Sequence, residues 1–356
     1  MRKFLIVNPF GIGDILFTTP VIRAIKDSEP QSLIAYWCNE RVRDMLSANP
    51  CLYRIFALSR GDLKKIYRRS LWKGISRSLN LVRDIRREKF DVLLDFSLDH
   101  RYSLIASLAG IKRRIGFNYK GRGRFLTDRI DIEGYSDKHA VEYYLGLLRP
   151  LQITPNNLNL ELFLSEDDKG IASGILKNGG ITDNDLVVGV APGAGASWGK
   201  DARLKHWPAR KFAELADRIA AEYKARIIIL GDSPERPIAD EMISNMREKP
   251  LDLTGRLSLG GLTAVVGRVN LMITNDGGPL HIAVALGKKT LSFFGPVDPK
   301  VYGPYPVDKR RHAVIRKGLD CSPCYLNFHL SACLKNKECL ETIDVDSAFK
   351  AAAGLL

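Results

Sequence analysis

The sequence has no apolar run near the ~20 residues needed to cross a bilayer. Its opening, Met1-Arg2-Lys3-Phe4-Leu5-Ile6-Val7, is basic and then apolar for only four residues. The core of a signal peptide needs ~7–15, so this stretch reads as a first strand, and the cytosol is the expected location by default. Cysteine is sparse, six in 356 residues. In a reducing compartment that argues against a disulfide framework and predicts free thiols. Acidic residues are short in the first half: residues 1–150 hold 28 Lys and Arg against 16 Asp and Glu, a net +12, while the remainder holds 26 against 24. A basic excess attracts nucleic acid, phosphorylated glycan or an acidic membrane surface. The chain also lacks the aromatic interleaving and any module of a nucleic-acid reader, so no nucleic-acid partner is expected.

What is present is length enough for two domains and, at 45% hydrophobic, apolar content enough for real cores. Short apolar strands alternate with helical patterns throughout: strands near 4–8, 32–37, 53–58, 90–96 and 113–117, then again near 186–191, 226–230, 251–253, 269–273 and 290–295. Pro150, Pro155 and Asn156-Asn157 mark a linker within 150–165. The expectation is an α/β protein of two doubly wound, Rossmann-like domains facing across a cleft, with residues 1–155 and 156–340 as the domains. A terminal helix in 341–356 is expected to pack back on the first. Residues 60–89 are densely basic, with Leu71, Ile75, Leu79, Val82 and Ile85 at helical spacing. They read as an amphipathic helix preceded by a basic loop, suited either to packing or to an anionic membrane surface.

The most informative stretch is Thr274-Asn275-Asp276-Gly277-Gly278-Pro279-Leu280-His281. An apolar run precedes it and a helical pattern follows, so it is a strand, a small polar loop and a helix start. Free N–H groups and the positive end of a helix dipole suit a phosphate there, though an ordinary capped turn has the same pattern. Gly277 and Gly278 permit close backbone approach, and Pro279 suits the first helical turn. A second such junction is Pro9-Phe10-Gly11-Ile12-Gly13-Asp14, which lacks the third glycine of a dinucleotide fingerprint. Asp14 reads equally as a general base or as a helix cap. A third is the Gly-rich loop Pro192 to Lys200, followed by Lys205-His206-Trp207-Pro208. Lys120-Gly121-Arg122-Gly123-Arg124 is a cationic segment able to clamp a phosphate. Late in the chain, Cys321, Cys324, Cys333 and Cys339 bring four thiols within nineteen residues. They form either a structural zinc or iron–sulfur site or a reduced loop.

Together, Gly11-Ile12-Gly13-Asp14 with Thr18-Thr19-Pro20, Pro192-Gly193-Ala194 with Lys205-His206-Trp207-Pro208, Asp252-Leu253-Thr254-Gly255, and Thr274 to His281 resemble the heptosyltransferases of lipopolysaccharide core assembly, glycosyltransferase family 9. The resemblance implies a GT-B fold and an inverting transfer that requires no cofactor or metal. The donor is typically ADP-heptose, held by the second domain. An anionic lipopolysaccharide core acceptor, Kdo or heptose, is taken by the basic first domain at the inner face of the inner membrane, where the protein is peripheral. Asp14 matches the family's proposed general base. Lys205, Ser197, Gly277, Gly278, Pro279 and His281 fall at the donor diphosphate, Asp276 at the sugar, and Asp232 or Glu235 near the ribose. Gly13, Thr18, Arg113, Arg122 and Arg124 are the expected acceptor contacts. Gly277 departs from the Thr or Ser common there. A related transferase using another nucleotide-sugar, or a non-catalytic binding protein on the same fold, are the alternatives.

Overall fold

A computed structural model describes residues 1–58, 60–194 and 196–356; at 60, 62, 63, 67, 196 and 197 it describes the backbone alone. The chain divides into two compact units, residues 1–135 with 140–159, and residues 136–139 with 160–356.

The first unit is a parallel sheet of six strands: β1 (Lys3–Val7), β2 (Leu33–Cys38), β3 (Leu52–Ala57), β4 (Val92–Asp95), β5 (Arg113–Tyr119) and β6 (Asp128–Ile132), in the order β3-β2-β1-β4-β5-β6. The second repeats the plan with β7 (Val187–Ala191), β8 (Arg226–Ile229), β9 (Leu251–Asp252), β10 (Leu271–Asn275), β11 (Lys289–Phe293) and β12 (His312–Ile315), in the order β12-β11-β10-β7-β8-β9. Central strands such as Val92-Leu93-Leu94-Asp95 are buried on both faces and therefore read as continuous apolar runs. In each sheet the order reverses beside the first strand, between β1 and β4 and between β7 and β10. Ligands of doubly wound sheets bind at such a point, outside the carboxyl ends of the strands.

The expected alternation holds, with differences that have physical reasons. β6 and β12 did not stand out in the sequence because edge strands meet water and need no unbroken apolar run; Asp128-Arg129-Ile130-Asp131-Ile132 alternates with a period of two. The basic loop expected before the long helix is itself helical, Arg60–Arg69, and the next helix, Leu71–Glu88, begins at a Ser70 cap whose hydroxyl accepts from the Lys73 amide at 3.3 Å. That second helix buries Gly74, Leu81 and Ile85, not the Leu71–Ile75–Leu79 stripe. The terminal helix, Val345–Ala353, belongs to the core of the second unit rather than to the first. There Ala348, Ala352 and Leu355 pack with Phe212, Leu215 and Ile219 of the helix Ala209–Tyr223.

Candidate active site

In the first unit, the loop after β1 is held from beneath by two buried asparagines. The Asn39 amide donates to the carbonyls of Pro9 at 3.0 Å and Phe10 at 2.5 Å. Asn8 accepts from the Phe10 amide at 3.2 Å and donates to the Asp14 carbonyl at 3.0 Å. Gly11 is the cap of the short helix Ile12–Phe17, so Asp14 is its third residue and not its cap. The Asp14 carboxylate accepts from the Tyr144 hydroxyl at 3.1 Å. Tyr144 is fully buried, its ring 4.8 Å from Phe96, and that packing aims its hydroxyl. Asp14 and Tyr144 lie 130 residues apart, so no local pattern announces the pair. Next to Phe96 in the chain, Asp95 ends β4 and is pushed up to about 6 by burial, partly offset by the Ser97 hydroxyl and amide.

Two of the expected acceptor contacts have partners within the fold. Thr18 is buried, its hydroxyl donating to the Ile15 carbonyl at 2.6 Å and sharing a 2.7 Å hydrogen bond with Tyr36. Arg113 is engaged with Asp128 at 3.3 Å and with the Pro150 carbonyl at 2.5 Å, tying β5 to β6 and to the chain beyond. Gly13 is partly buried in the first turn beside Asp14. Arg122 and Arg124 are exposed, over the rings of Tyr119 at 5.6 Å and Phe125 at 5.0 Å.

In the second unit three loops meet at the strand ends beside the reversal. Asn275, the last residue of β10, is wholly buried and joins two of them. Its amide donates to the carbonyls of Pro192 at 2.7 Å and Gly193 at 3.2 Å, and its carbonyl accepts from the Trp207 amide at 2.9 Å. Trp207 stacks on Phe293 at 4.0 Å and donates from its indole to the Ile343 carbonyl at 3.2 Å. Those anchors place Lys205, two residues earlier, so that its Nζ lies 2.6 Å from Asp276 Oδ2 and 4.3 Å from the centre of the Trp198 ring. Both members of this ion pair are nearly buried, at 10% and 7% exposure, so solvent screens it little.

Glu235 enters from the β8 loop. Its carboxylate accepts from the Asp232 amide at 3.0 Å and lies against Gly193, where a Cβ would come within 2.3 Å of it. Only glycine leaves room for that carboxylate. Asp232 itself is exposed. Burial pushes Glu235 up to about 7, and the nearby Asp232 charge adds to the rise. The folded protein then holds a proton that the unfolded chain releases near pH 4.5. Glu235 therefore costs stability progressively as pH rises from about 4.5 to about 7. His139, His206 and His281 are pushed down by burial to about 3, 4 and 3, so their contribution is lost as pH falls below about 6.5, which is the opposite slope. Comparing Glu235→Gln with the native chain isolates the carboxyl. In denaturant unfolding across pH 4–8, the variant's curve is expected to gain relative stability toward pH 8, and parallel curves would overturn the assignment.

Gly277 caps the helix Gly278–Ala285 in extended backbone, with Pro279 in its first turn, so the N-terminal amides face outward from the carboxyl end of β10. His281 lies within that helix and is buried. Desolvation first, and then the Lys205 charge, push its pKa down to about 3. His139, which the sequence did not single out, is its buried neighbour; its ring is 3.0 Å from the Gly303 carbonyl and stacked at 4.6 Å on Tyr305. The Ser197 side chain lies outside the described residues.

The four late cysteines surround a small hairpin, Tyr325–Leu326 with His329–Leu330. Cys339 is buried and its thiol is pushed up to about 11, by burial first and then by Cys324, Cys333 and Cys321. The Cys333 sulfur accepts from the Lys337 amide at 3.3 Å. The thiols are therefore near one another, yet among the described residues no three His, Cys, Asp or Glu side chains converge as a metal-ligand set.

The model of glycosyltransferase family 9 (heptosyltransferase) matches residues 78–331. The chain belongs to glycosyltransferase family 9. Among the relatives of this family 9 enzyme, lipopolysaccharide heptosyltransferase 2 of Escherichia coli strain K12 is 23% identical over 312 residues, covering 83% of this chain and 84% of the relative. In structure, a family 9 glycosyltransferase from Veillonella parvula superposes with a TM-score of 0.83 at 23% identity, over 99% and 97% of the two chains. E. coli ADP-heptose lipopolysaccharide heptosyltransferase II superposes with a TM-score of 0.76 at 21% identity, over 100% and 98%. The two doubly wound units are thus those of the GT-B class, and the protein is a glycosyltransferase of the heptosyltransferase type.

Proposed function

We propose that this family 9 glycosyltransferase moves a heptosyl residue from ADP-heptose to the inner core of lipopolysaccharide, with inversion and with no metal. The observation that carries the reading is the nearly buried Lys205–Asp276 pair beside the amides that open the helix at Gly278, at the reversal of the second sheet. A diphosphate placed there meets one cation and a helix N-terminus, the two elements that stabilise charge on a departing ADP. Asp276, drawn from Lys205 toward a sugar hydroxyl, exchanges one partner for another. Glu235, packed against the glycine at 193, would meet a ribose hydroxyl.

Inversion takes a single displacement. The acceptor hydroxyl oxygen attacks the anomeric carbon on the face opposite the diphosphate, and the bond from that carbon to the phosphate oxygen breaks. The bonding electrons leave with ADP. Asp14 takes the hydroxyl proton, and Tyr144 holds the carboxylate in position for it. Exposed Arg122 and Arg124, with the +12 of residues 1–150, suit an acceptor carrying phosphates and Kdo carboxylates in a lipid surface.

The test is calorimetric titration with ADP, ADP-heptose and UDP-sugars, followed by incubation of each bound donor with a deacylated core acceptor. The expected result is selective binding of the ADP compounds and a glycosylated core product. Binding and transfer from a different nucleotide-sugar would move the substrate, and binding without transfer to any core acceptor would make this a binding protein.

A further inference from the structure

The helix Leu71–Glu88 has two apolar faces, and only one is used by the fold. At about 100° per residue, Leu71, Trp72, Ile75 and Leu79 fall within an arc of about 100°, turned about 110° from the Gly74–Leu81–Ile85 arc that packs inward. Their exposures are 69%, 82%, 41% and 58%. A tryptophan and three aliphatic side chains held in water on one stripe oppose the normal economy of a soluble surface. The surroundings are as unusual. Residues 60–89 hold eleven Lys and Arg against three acids, and one of those acids, Glu88, is already occupied by Lys3, Tyr53 and Arg54. Lys64, Lys65, Arg68 and Arg69 of the preceding helix are exposed, and at about 100° per residue the exposed Arg86 falls within the stripe's arc and the exposed Arg83 at its edge.

We propose that this face seats the enzyme on an anionic bilayer, with Trp72, Leu71, Ile75 and Leu79 entering the headgroup boundary and the basic side chains meeting lipid phosphates. Charge selects this occupant. A second copy would bring the same net +8 of residues 60–89 against itself, whereas an anionic lipid surface neutralises it. Tryptophan at the edge of an apolar stripe matches the interfacial position that its ring and N–H favour. Among the described residues no helix is long and apolar enough to cross a membrane, so attachment here is lateral. The inference rests on the reading of a lipid-borne acceptor only for its purpose; its test needs neither donor nor acceptor.

The experiment is vesicle flotation of the full chain on neutral phosphatidylcholine and on mixtures with phosphatidylglycerol, with tryptophan emission recorded alongside. Binding is expected on anionic vesicles alone, weakening as salt rises, with a blue shift in emission. Trp72→Ser with Leu79→Ser is expected to lower partitioning by about tenfold or more. Trp72→Phe should bind but lose most of the blue shift, since of the other three tryptophans Trp37 and Trp207 are buried and Trp198 lies under Lys205 in the second unit. Because the altered side chains are exposed, thermal unfolding should be unchanged. Absence of binding to anionic vesicles at low salt would overturn the proposal. So would a double variant that partitions like the native chain, or a concentration-dependent dimer that the double variant abolishes.

Discussion

Asp14→Asn is expected to lower kcat for transfer by about 10²–10⁴-fold, the usual worth of a general base. Affinity for ADP is expected to stay within about twofold, a change of a few tenths of a kcal/mol. Asn preserves the size and the contact with Tyr144, and Gly11, not Asp14, caps the helix, so the local fold keeps its supports. The side chain belongs to the first unit, while every residue assigned here to the donor belongs to the second. Single-turnover transfer with saturating donor, paired with calorimetry for ADP, separates the two quantities. A variant that turns over at the native rate removes Asp14 as the base. Tyr144→Phe then serves as a graded companion: it removes one hydrogen bond to the carboxylate, and its signature is a displaced pH–rate profile with the donor KM unmoved.

Lys205→Met is expected to damage both stability and donor binding, and the two effects can be separated. Removing the cation leaves Asp276 charged, nearly buried and without its 2.6 Å partner. Breaking a buried pair by one member costs about 3–5 kcal/mol. For a unit of this size that corresponds to a fall in Tm of roughly 5–20 °C. Adding Asp276→Asn removes the stranded charge, so the double variant is expected to recover most of the stability. It should not recover the nucleotide. ADP, which lacks the sugar that Asp276 would meet, reports on the lysine alone, and losing a charge-assisted hydrogen bond of about 1.5–3 kcal/mol weakens it by roughly 10- to 100-fold. A double variant binding ADP with native affinity would remove Lys205 from the diphosphate.

Much of this site was legible because its motifs are local. A strand, a short polar loop and a helix start can be recognised within eight residues, and Thr274 to His281 is one such stretch. Asn275 was within it, but its task of joining the β7 and β10 loops is visible only once Pro192 and Trp207 lie beside it. Tyr144 and His139 carried no local signal, since the groups they meet lie more than a hundred residues away in sequence. Thr18 and Arg113 show the converse: the fold itself uses them. A threonine after a glycine loop and an arginine in a basic run suit a ligand, yet the buried Tyr36 hydroxyl and the Asp128 carboxylate use them within the fold. For His281, burial rather than residue type sets the proton affinity, which local sequence cannot show.

The order of residues alone determines the alternation of strand and helix, the asymmetry of charge and the family. Each follows from local propensity, from apolar periodicity or from short motifs read in sequence. Tertiary structure decided what depends on proximity and on exclusion of water: which strands form the edges, that the terminal helix completes the second core, that Lys205 is paired with Asp276, and that Glu235 holds its proton near neutrality. It also decided which face of the helix Leu71–Glu88 is hidden. The sequence shows an apolar stripe at helical spacing, but a stripe is compatible with two directions, and only the packing of Gly74, Leu81 and Ile85 leaves Leu71, Trp72, Ile75 and Leu79 facing outward.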